Sequence, residues 1–358
     1  MAGRTGTHDI SFLLASTNPI TNGNLSFQEI VAALDADVAA YNTIMRDQLS
    51  SLASTRAGTA ERIGAYGGSA AGSMTEVDEY GRAPTQRAAA VAQVAFPFKK
   101  YQYNVGWTKE WEKRRSAADF ARAVQGAQAG HRQRVSAEIK KALFLSANYT
   151  FRDHLVDNVD LAVKRLVNAD GAVIPNGPNG ETFDGSTHTH YLGNATLTTA
   201  AVDAAISTVV EHGHGASLRI YIAQANETAF RALSGFVAYV DPRLMLGTQA
   251  NQPAQRLDIT VQNNRAIGIY GAAEVWVKPW MIANYLLVFD AGSPQNTLGL
   301  REDPAGSLDL TRAAEFEDHP LRVDFYESYF GLGVLTRTNG AILQFNNASY
   351  TDPTISNP

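Results

Sequence analysis

Cysteine is absent from the 358 residues. Disulfides, thiolate metal sites and cysteine nucleophiles are therefore excluded. Packing, hydrogen bonds and association must hold the chain together, and a reducing cytoplasm suits it. Charge is scarce: 18% of residues are charged, against 45% hydrophobic. That is too little charge for general disorder and enough apolar material for a sizeable core. A formal net charge of -5 disfavours a globally basic nucleic-acid binder. No uncharged apolar stretch reaches about 18 residues, so a membrane-spanning helix is not expected. The richest apolar run, 280–289, reads as a buried strand. Residues 1–26 have little positive charge and no long apolar core, so a signal peptide is not expected.

Catalytic signatures are missing too. Gly68-Ser69-Ala70-Ala71-Gly72 has the wrong spacing for a nucleophile elbow. No Walker loop, dinucleotide fingerprint or His-Glu-x-x-His motif occurs. The histidines offer two i, i+2 pairs, His188 with His190 and His212 with His214. In a strand such a pair shares one face and could chelate a metal. Glu211 is the one acidic neighbour, and solvated loop histidines are the expectation. No catalytic residue, cofactor or metal is expected, and the chain does not read as an enzyme.

What is present is a mixed α+β pattern. The first 25 residues, rich in Thr, Asn and Gly, read as an extended arm. Ser26 and Glu29 form a capping box opening a long helix. Its apolar stripe is Phe27, Val31, Leu34, Val38, Tyr41, Met45, Leu49 and Leu52. The span 57–105 reads as a two-armed excursion with little core of its own. Its Gly-rich part, 57–75, precedes an acidic knot of Glu76, Asp78 and Glu79. Its return, 90–103, is strand-like, and Pro97 marks it as an edge strand.

Ser116 and Asp119 predict a second helix, running to about Leu145, with Phe120, Val124, Ala127, Val135, Ile139 and Leu143 inward. Gly126 and Gly130 within it suggest close approach of another backbone. Residues 109–141 hold nine Lys/Arg and four Asp/Glu, a net of +5. Residues 290–327 hold nine Asp/Glu and three Arg, a net of -6. Such local opposition suits a subunit that meets copies of itself. A weaker reading of the basic stretch is single-strand binding by Lys113, Arg114 and Arg115 beside Trp107 and Trp111. Further on, Thr198 and Thr199 cap a helix to about His212. Strands are expected at 218–223, 266–270, 274–277 and 285–289, with a short helix at 227–233. Asn339-Gly340 between 323–336 and 341–345 is a hairpin signal.

This order of parts resembles the major capsid proteins of tailed bacteriophages with the Hong Kong 97-type fold. The resemblance is carried by Glu76-Val77-Asp78-Glu79-Tyr80-Gly81-Arg82-Ala83-Pro84-Thr85, Val94-Ala95-Phe96-Pro97-Phe98-Lys99-Lys100-Tyr101 and Gly106-Trp107-Thr108. Later runs agree: His190-Tyr191-Leu192, Glu211-His212-Gly213, Ala266 to Gly271, Val275-Trp276-Val277, Asn284 to Gly292, Tyr326 to Gly331 and Arg337 to Gly340.

The resemblance implies five parts: an N-terminal arm and helix (1–56), an extended loop (57–105), a peripheral domain with a spine helix (106–195), an axial domain (196–320) and C-terminal strands returning to the peripheral domain (321–358). It implies a structural protein that assembles into hexamers and pentamers of an icosahedral head around double-stranded DNA, in the bacterial cytoplasm. Implied partners are other copies, a separate scaffolding protein, a portal, a decoration protein and non-specifically held DNA, with no membrane. In some members a Lys is cross-linked to a neighbour's Asn; Lys99, Lys100, Asn346 and Asn347 match by residue type. Candidate subunit contacts are Glu76, Asp78 and Glu79 against Arg114, Arg115, Arg132 and Arg134. Two alternatives are an encapsulin-type nanocompartment shell and a soluble metal-dependent hydrolase using the histidine pairs.

Overall fold

The computed structural model describes residues 9–17, 20, 26–57, 63–65, 93–239, 264–302 and 307–356. The part of the expected arm that lies within these residues is not extended. Asp9 caps a short helix, α1 (Ile10–Leu14), whose Leu13 is fully buried. The Ser26–Glu29 capping box then opens α2 (Phe27–Ser50), as expected. Its buried face is Ile30, Ala33, Leu34, Val38, Tyr41, Met45 and Leu49, so Ile30 takes the place expected for Val31.

The chain continues through β1 (Ala53–Ala57), β2 (Ile63–Ala65), β3 (Gln93–Ala95) and β4 (Lys99–Thr108). β2 and β3 pair antiparallel, so the two ends of the excursion meet at its base. After α3 (Lys109–Glu112), the Ser116–Asp119 box starts α4 (Ala117–Phe144) where the sequence places it. All six expected inward residues of α4 are buried, and His131 fills the gap in that stripe.

The remaining elements are β5 (Tyr149–Arg152), β6 (Asp160–Val163), β7 (Tyr191–Gly193), α5 (Thr199–Val210), β8 (Leu218–Ile222), α6 (Glu227–Arg231), β9 (Phe236–Ala238), β10 (Arg265–Tyr270), β11 (Ala273–Val277), β12 (Tyr285–Asp290), β13 (Leu298–Glu302), β14 (Thr311–Asp318), β15 (Leu321–Val334) and β16 (Ala341–Gln344). One sheet has the order β1-β13-β15-β14, with β4 on β15 as well. A second has the order β7-β16-β12-β8-β11-β10-β9. Both faces of β8 and β12 are covered. Ile220, Leu286 and Val288 face one apolar cluster with α5, while Tyr221, Leu287 and Phe289 face the larger cluster beneath α2 and α4. That double burial is why these strands read as continuous apolar runs.

The Asn339-Gly340 hairpin does not form. β15 belongs to the first sheet and β16 to the second, and the chain crosses between them at 335–340. Asn339 is fully buried. Its side chain receives the Asp290 N–H at 2.8 Å and donates to the Asp290 carbonyl at 3.0 Å. The residue serves as a tertiary lock, and a type I′ turn is not needed.

Pro97 separates β3 from β4, and β4 is an edge strand on β15, as expected. The returning arm is buried against the rest of the molecule: Val94 and Phe96 pack with Leu335, and Val105 joins the main cluster. The Phe96 ring lies directly on Gly299 of β13 and Gly333 of β15, where any Cβ would intrude. Gly126 and Gly130 of α4 likewise admit a neighbour, but it is the Tyr103 side chain of β4 and not a backbone. Among the described residues, no helix is long and apolar enough to cross a membrane.

Candidate functional site

Glu76, Asp78 and Glu79 lie outside the described residues. Their proposed partners fall into two separate places. Arg114 and Arg115 are exposed in the turn between α3 and α4. Arg114 donates to Glu110 at 2.9 Å, and together with Lys113 it holds that carboxyl below the usual range. Arg132 and Arg134 sit about 25 Å further along the helix axis, by the rise of 1.5 Å per residue. They point to different sides: Arg132 lies over the Tyr41 ring of α2, and the half-buried Arg134 over the Tyr101 ring of β4. The four arginines therefore do not make one patch.

Part of the charge opposition expected between subunits is met within the chain. Lys109 of the basic stretch pairs with Glu317 of the acidic one at 2.6 Å; Arg322, a cation of the acidic stretch, pairs in the reverse sense with Glu112 at 3.0 Å and with Glu317 of its own stretch at 2.9 Å. Sheet pairing causes this, because β15 brings the acidic segment alongside β4 and the start of the basic one. Trp107 is buried and Trp111 partly so, which removes the aromatic platform that single-strand binding would need.

The lysines expected by type for cross-linking are ion-paired. Lys99 meets the buried Glu138 at 3.1 Å, and Lys100 meets Glu327 at 2.6 Å. Asn346 and Asn347 are exposed just after β16. Asn346 accepts from Gln344 at 2.9 Å, and Asn347 bridges to Asn194.

The histidines are not solvated, which corrects the expectation. His188 and His190 enter β7 with alternating side chains on one face, and His212 follows the last turn of α5. One pair and one member of the other therefore converge, while His214 turns away to Thr338 Oγ1 at 3.0 Å. His212 Nε2 lies 3.0 Å from His188 Nε2 and 3.1 Å from His190 Nε2. His190 is fully buried and donates from Nδ1 to the Gly340 carbonyl at 2.7 Å. Glu211 Oε1 is 3.4 Å from His188 Nε2 and 3.9 Å from His212 Nε2. The Phe183 ring covers the group, with its centroid 4.1 Å from that of His212 and 4.9 Å from that of His188. Burial lowers the pKa of all three imidazoles, His212 to about 3, so they are neutral near pH 7.

Sequence reading missed the meeting of these residues because it treated each i, i+2 pair by itself. The usable signal was Gly213, whose positive φ turns the chain just after α5 and so places His212 at its end.

No family model matches this chain, and no curated protein does. Among solved structures, the capsid of the native GTA particle has a TM-score of 0.45 at 14% identity, covering 83% of this chain and 89% of that one. The capsid of cyanophage P-SCSP1u has a TM-score of 0.46 at 12% identity, with coverage of 82% and 86%. Both are too distant to carry weight. A chain of Mycobacterium phage Patience has a TM-score of 0.61 at 20% identity, covering 98% of this chain and 96% of its own length. That likeness is one of fold and runs nearly end to end. The chain shares its fold with that phage chain.

Proposed function

We propose that this chain is the shell-building subunit of a tailed-phage head, assembling as hexamers and pentamers into an icosahedral container for double-stranded DNA. The observation that carries this reading is the fold shared with a phage chain over 98% of the sequence. The paired base of the excursion, β2 with β3, supports it. An arm anchored at its root and long beyond it is suited to burial against a neighbour. In this reading the first sheet with α2 and α4 forms the peripheral part, and the seven-stranded sheet with α5 the axial part. Partners are other copies, a scaffolding protein, a portal, a decoration protein and non-specifically held DNA. Assembly takes place in the host cytoplasm, and the virion capsid is the final location.

Electron microscopy and sedimentation of the full-length protein, expressed alone and with its scaffold, test this. Closed shells or capsomers are expected. A sharp monomer peak at high concentration under both conditions would overturn the proposal. Shells that enclose enzymes and never DNA would assign the chain to the encapsulin-type alternative.

A further inference from the structure

Three imidazoles meeting at their Nε2 atoms pose a question of protons. His190 must donate from Nδ1, because its partner there is the Gly340 carbonyl. When neutral, that ring presents a lone pair at Nε2. His212 Nε2 stands between His190 Nε2 and His188 Nε2, at 3.1 and 3.0 Å. A single proton on His212 Nε2 can point well at one of them only. His212 Nδ1, on the other side of the ring, is buried and makes no hydrogen bond among the described residues. A hydrogen-bonded triad therefore leaves polar atoms buried without full satisfaction, which is costly.

A cation at the centre resolves the proton conflict at the three Nε2 atoms; His212 Nδ1 keeps its N–H buried without a partner among the described residues. In a tetrahedral zinc site the metal–nitrogen distance is about 2.0–2.1 Å, so donor atoms lie roughly 3.3 Å apart. The separations of 3.0 and 3.1 Å from His212 Nε2 to His188 and His190 are near that spacing, whereas Glu211 Oε1 lies 3.4 Å from His188 Nε2 and 3.9 Å from His212 Nε2. The three imidazole donors all lie within 4.8 Å of one another. The surroundings are those of a metal ligand set: one ring is oriented by a backbone carbonyl through its other nitrogen, and an aromatic ring excludes water.

We infer that His188, His190 and His212 bind a divalent transition-metal ion, Zn2+ by their donor chemistry, with Glu211 beside the site. Imidazole nitrogens with one carboxylate suit zinc, whereas calcium and magnesium take oxygen ligands. Three imidazoles supply three positions of a tetrahedral sphere, and the Glu211 carboxylate stands next to the fourth, 3.4 Å from His188 Nε2. The ion ties the approach to the edge strand β7 to the end of α5, and both elements contact β16. This inference is independent of the shell proposal: a monomeric protein with the same fold would carry the same site.

The test uses the untagged full-length chain, stripped with chelator and titrated with Zn2+ alone and, separately, Co2+ alone. Wild-type protein is expected to take up one Zn2+ per chain and to melt at a higher temperature when loaded. Co2+ is expected to give the intense visible absorption of tetrahedral coordination. His188→Gln, at a partly exposed position, should retain its far-UV circular dichroism and lose affinity by at least about tenfold, given the effect of ligand-shell changes. Glu211→Gln should bind more weakly and change the Co2+ spectrum. Absence of saturable uptake by wild-type protein, an octahedral Co2+ spectrum, or equal affinity in wild type and His188→Gln would each overturn the site. Since His188→Gln is read for folding before titration, a misfolded variant is replaced by His212→Asn, read in the same way.

Discussion

Asp153 and Arg301 are each fully buried and lie 2.9 Å apart. Arg301 also donates to the Phe96 carbonyl at 3.0 Å and stands 5.0 Å from the Phe98 ring centroid. One guanidinium thus joins β13, the turn after β5 and the returning arm. Asp153→Ala removes an ion-pair partner 2.9 Å from a buried guanidinium and should cost about 3–5 kcal/mol in urea unfolding. Adding Arg301→Met should recover much of that loss, and equal stability of single variant and wild type would refute the role.

Asp324 tests the pH side at the same scale. Its side chain is 1% exposed, and burial pushes its carboxyl up to about 6, opposed by Arg312 and reinforced by Glu315. A folded pKa above the unfolded one means that folding favours the protonated acid. The stability it contributes is complete below about pH 4 and lost as pH rises through about 6, a span of roughly 3 kcal/mol. Asp324→Asn should flatten the decline in melting temperature across that window. His131 runs the other way, because burial pushes it down to about 4. Its contribution is present above about pH 6.5 and is lost as pH falls through about 4.

At the scale of elements, glycines divide into two kinds. A Cβ at Gly130 would meet only the Tyr103 ring at 3.7 Å, an ordinary contact with a side chain that is 42% exposed. Gly130→Ala should therefore stabilise α4 by up to about 1 kcal/mol. A Cβ at Gly333 would meet Phe96 at 3.0 Å and the Ala95 carbonyl at 3.3 Å, and Phe96 is fully buried. Gly333→Ala should destabilise by about 1–3 kcal/mol, as overpacking does. Thermal unfolding of the two variants side by side checks the distinction, and shifts of the same sign would refute it. α4 itself is tied on both sides through His131, which meets Tyr41 of α2 at 2.9 Å and Ser328 of β15 at 3.2 Å.

For the whole molecule, the contact to test is the acidic knot. We expect Glu76, Asp78 and Glu79 to dock on a neighbouring subunit, against Arg114 and Arg115 or against Arg132 and Arg134. A single exposed pair contributes about 0–1 kcal/mol, but a closed shell repeats it, and charge sets register more than affinity. Reversing the three acids to Lys should impair assembly while leaving the subunit's melting temperature unchanged. Reversal of Arg114 and Arg115 to Glu should restore it in part. Normal shell yield and salt sensitivity in the triple-Lys variant would remove this contact. The splayed directions of Arg132 and Arg134 favour the first pair, since neither of the latter is free of its aromatic neighbour.

The local parts of this protein were legible in its sequence because each is decided within a few residues. The Ser26–Glu29 and Ser116–Asp119 boxes mark two long helices, and the period of apolar residues selects their inward faces. Apolar and β-branched runs identify β8, β10, β11 and β12, and Pro97 the edge position of β4, though the break it makes between β3 and β4 within 90–103 was not foreseen. What only the tertiary structure decided depends on partners distant in the chain. Asn339-Gly340 fits a tight turn locally, yet Asn339 is committed to Asp290 and the two flanking strands to different sheets. The opposite charges of 109–141 and 290–327 were visible, but only the β4–β15 pairing shows that Lys109 and Glu317 meet within one chain. The histidines were visible as two pairs. That His188, His190 and His212 converge, while His214 does not, follows from where β7 lies against the end of α5, a matter of packing between elements and not of spacing along the chain.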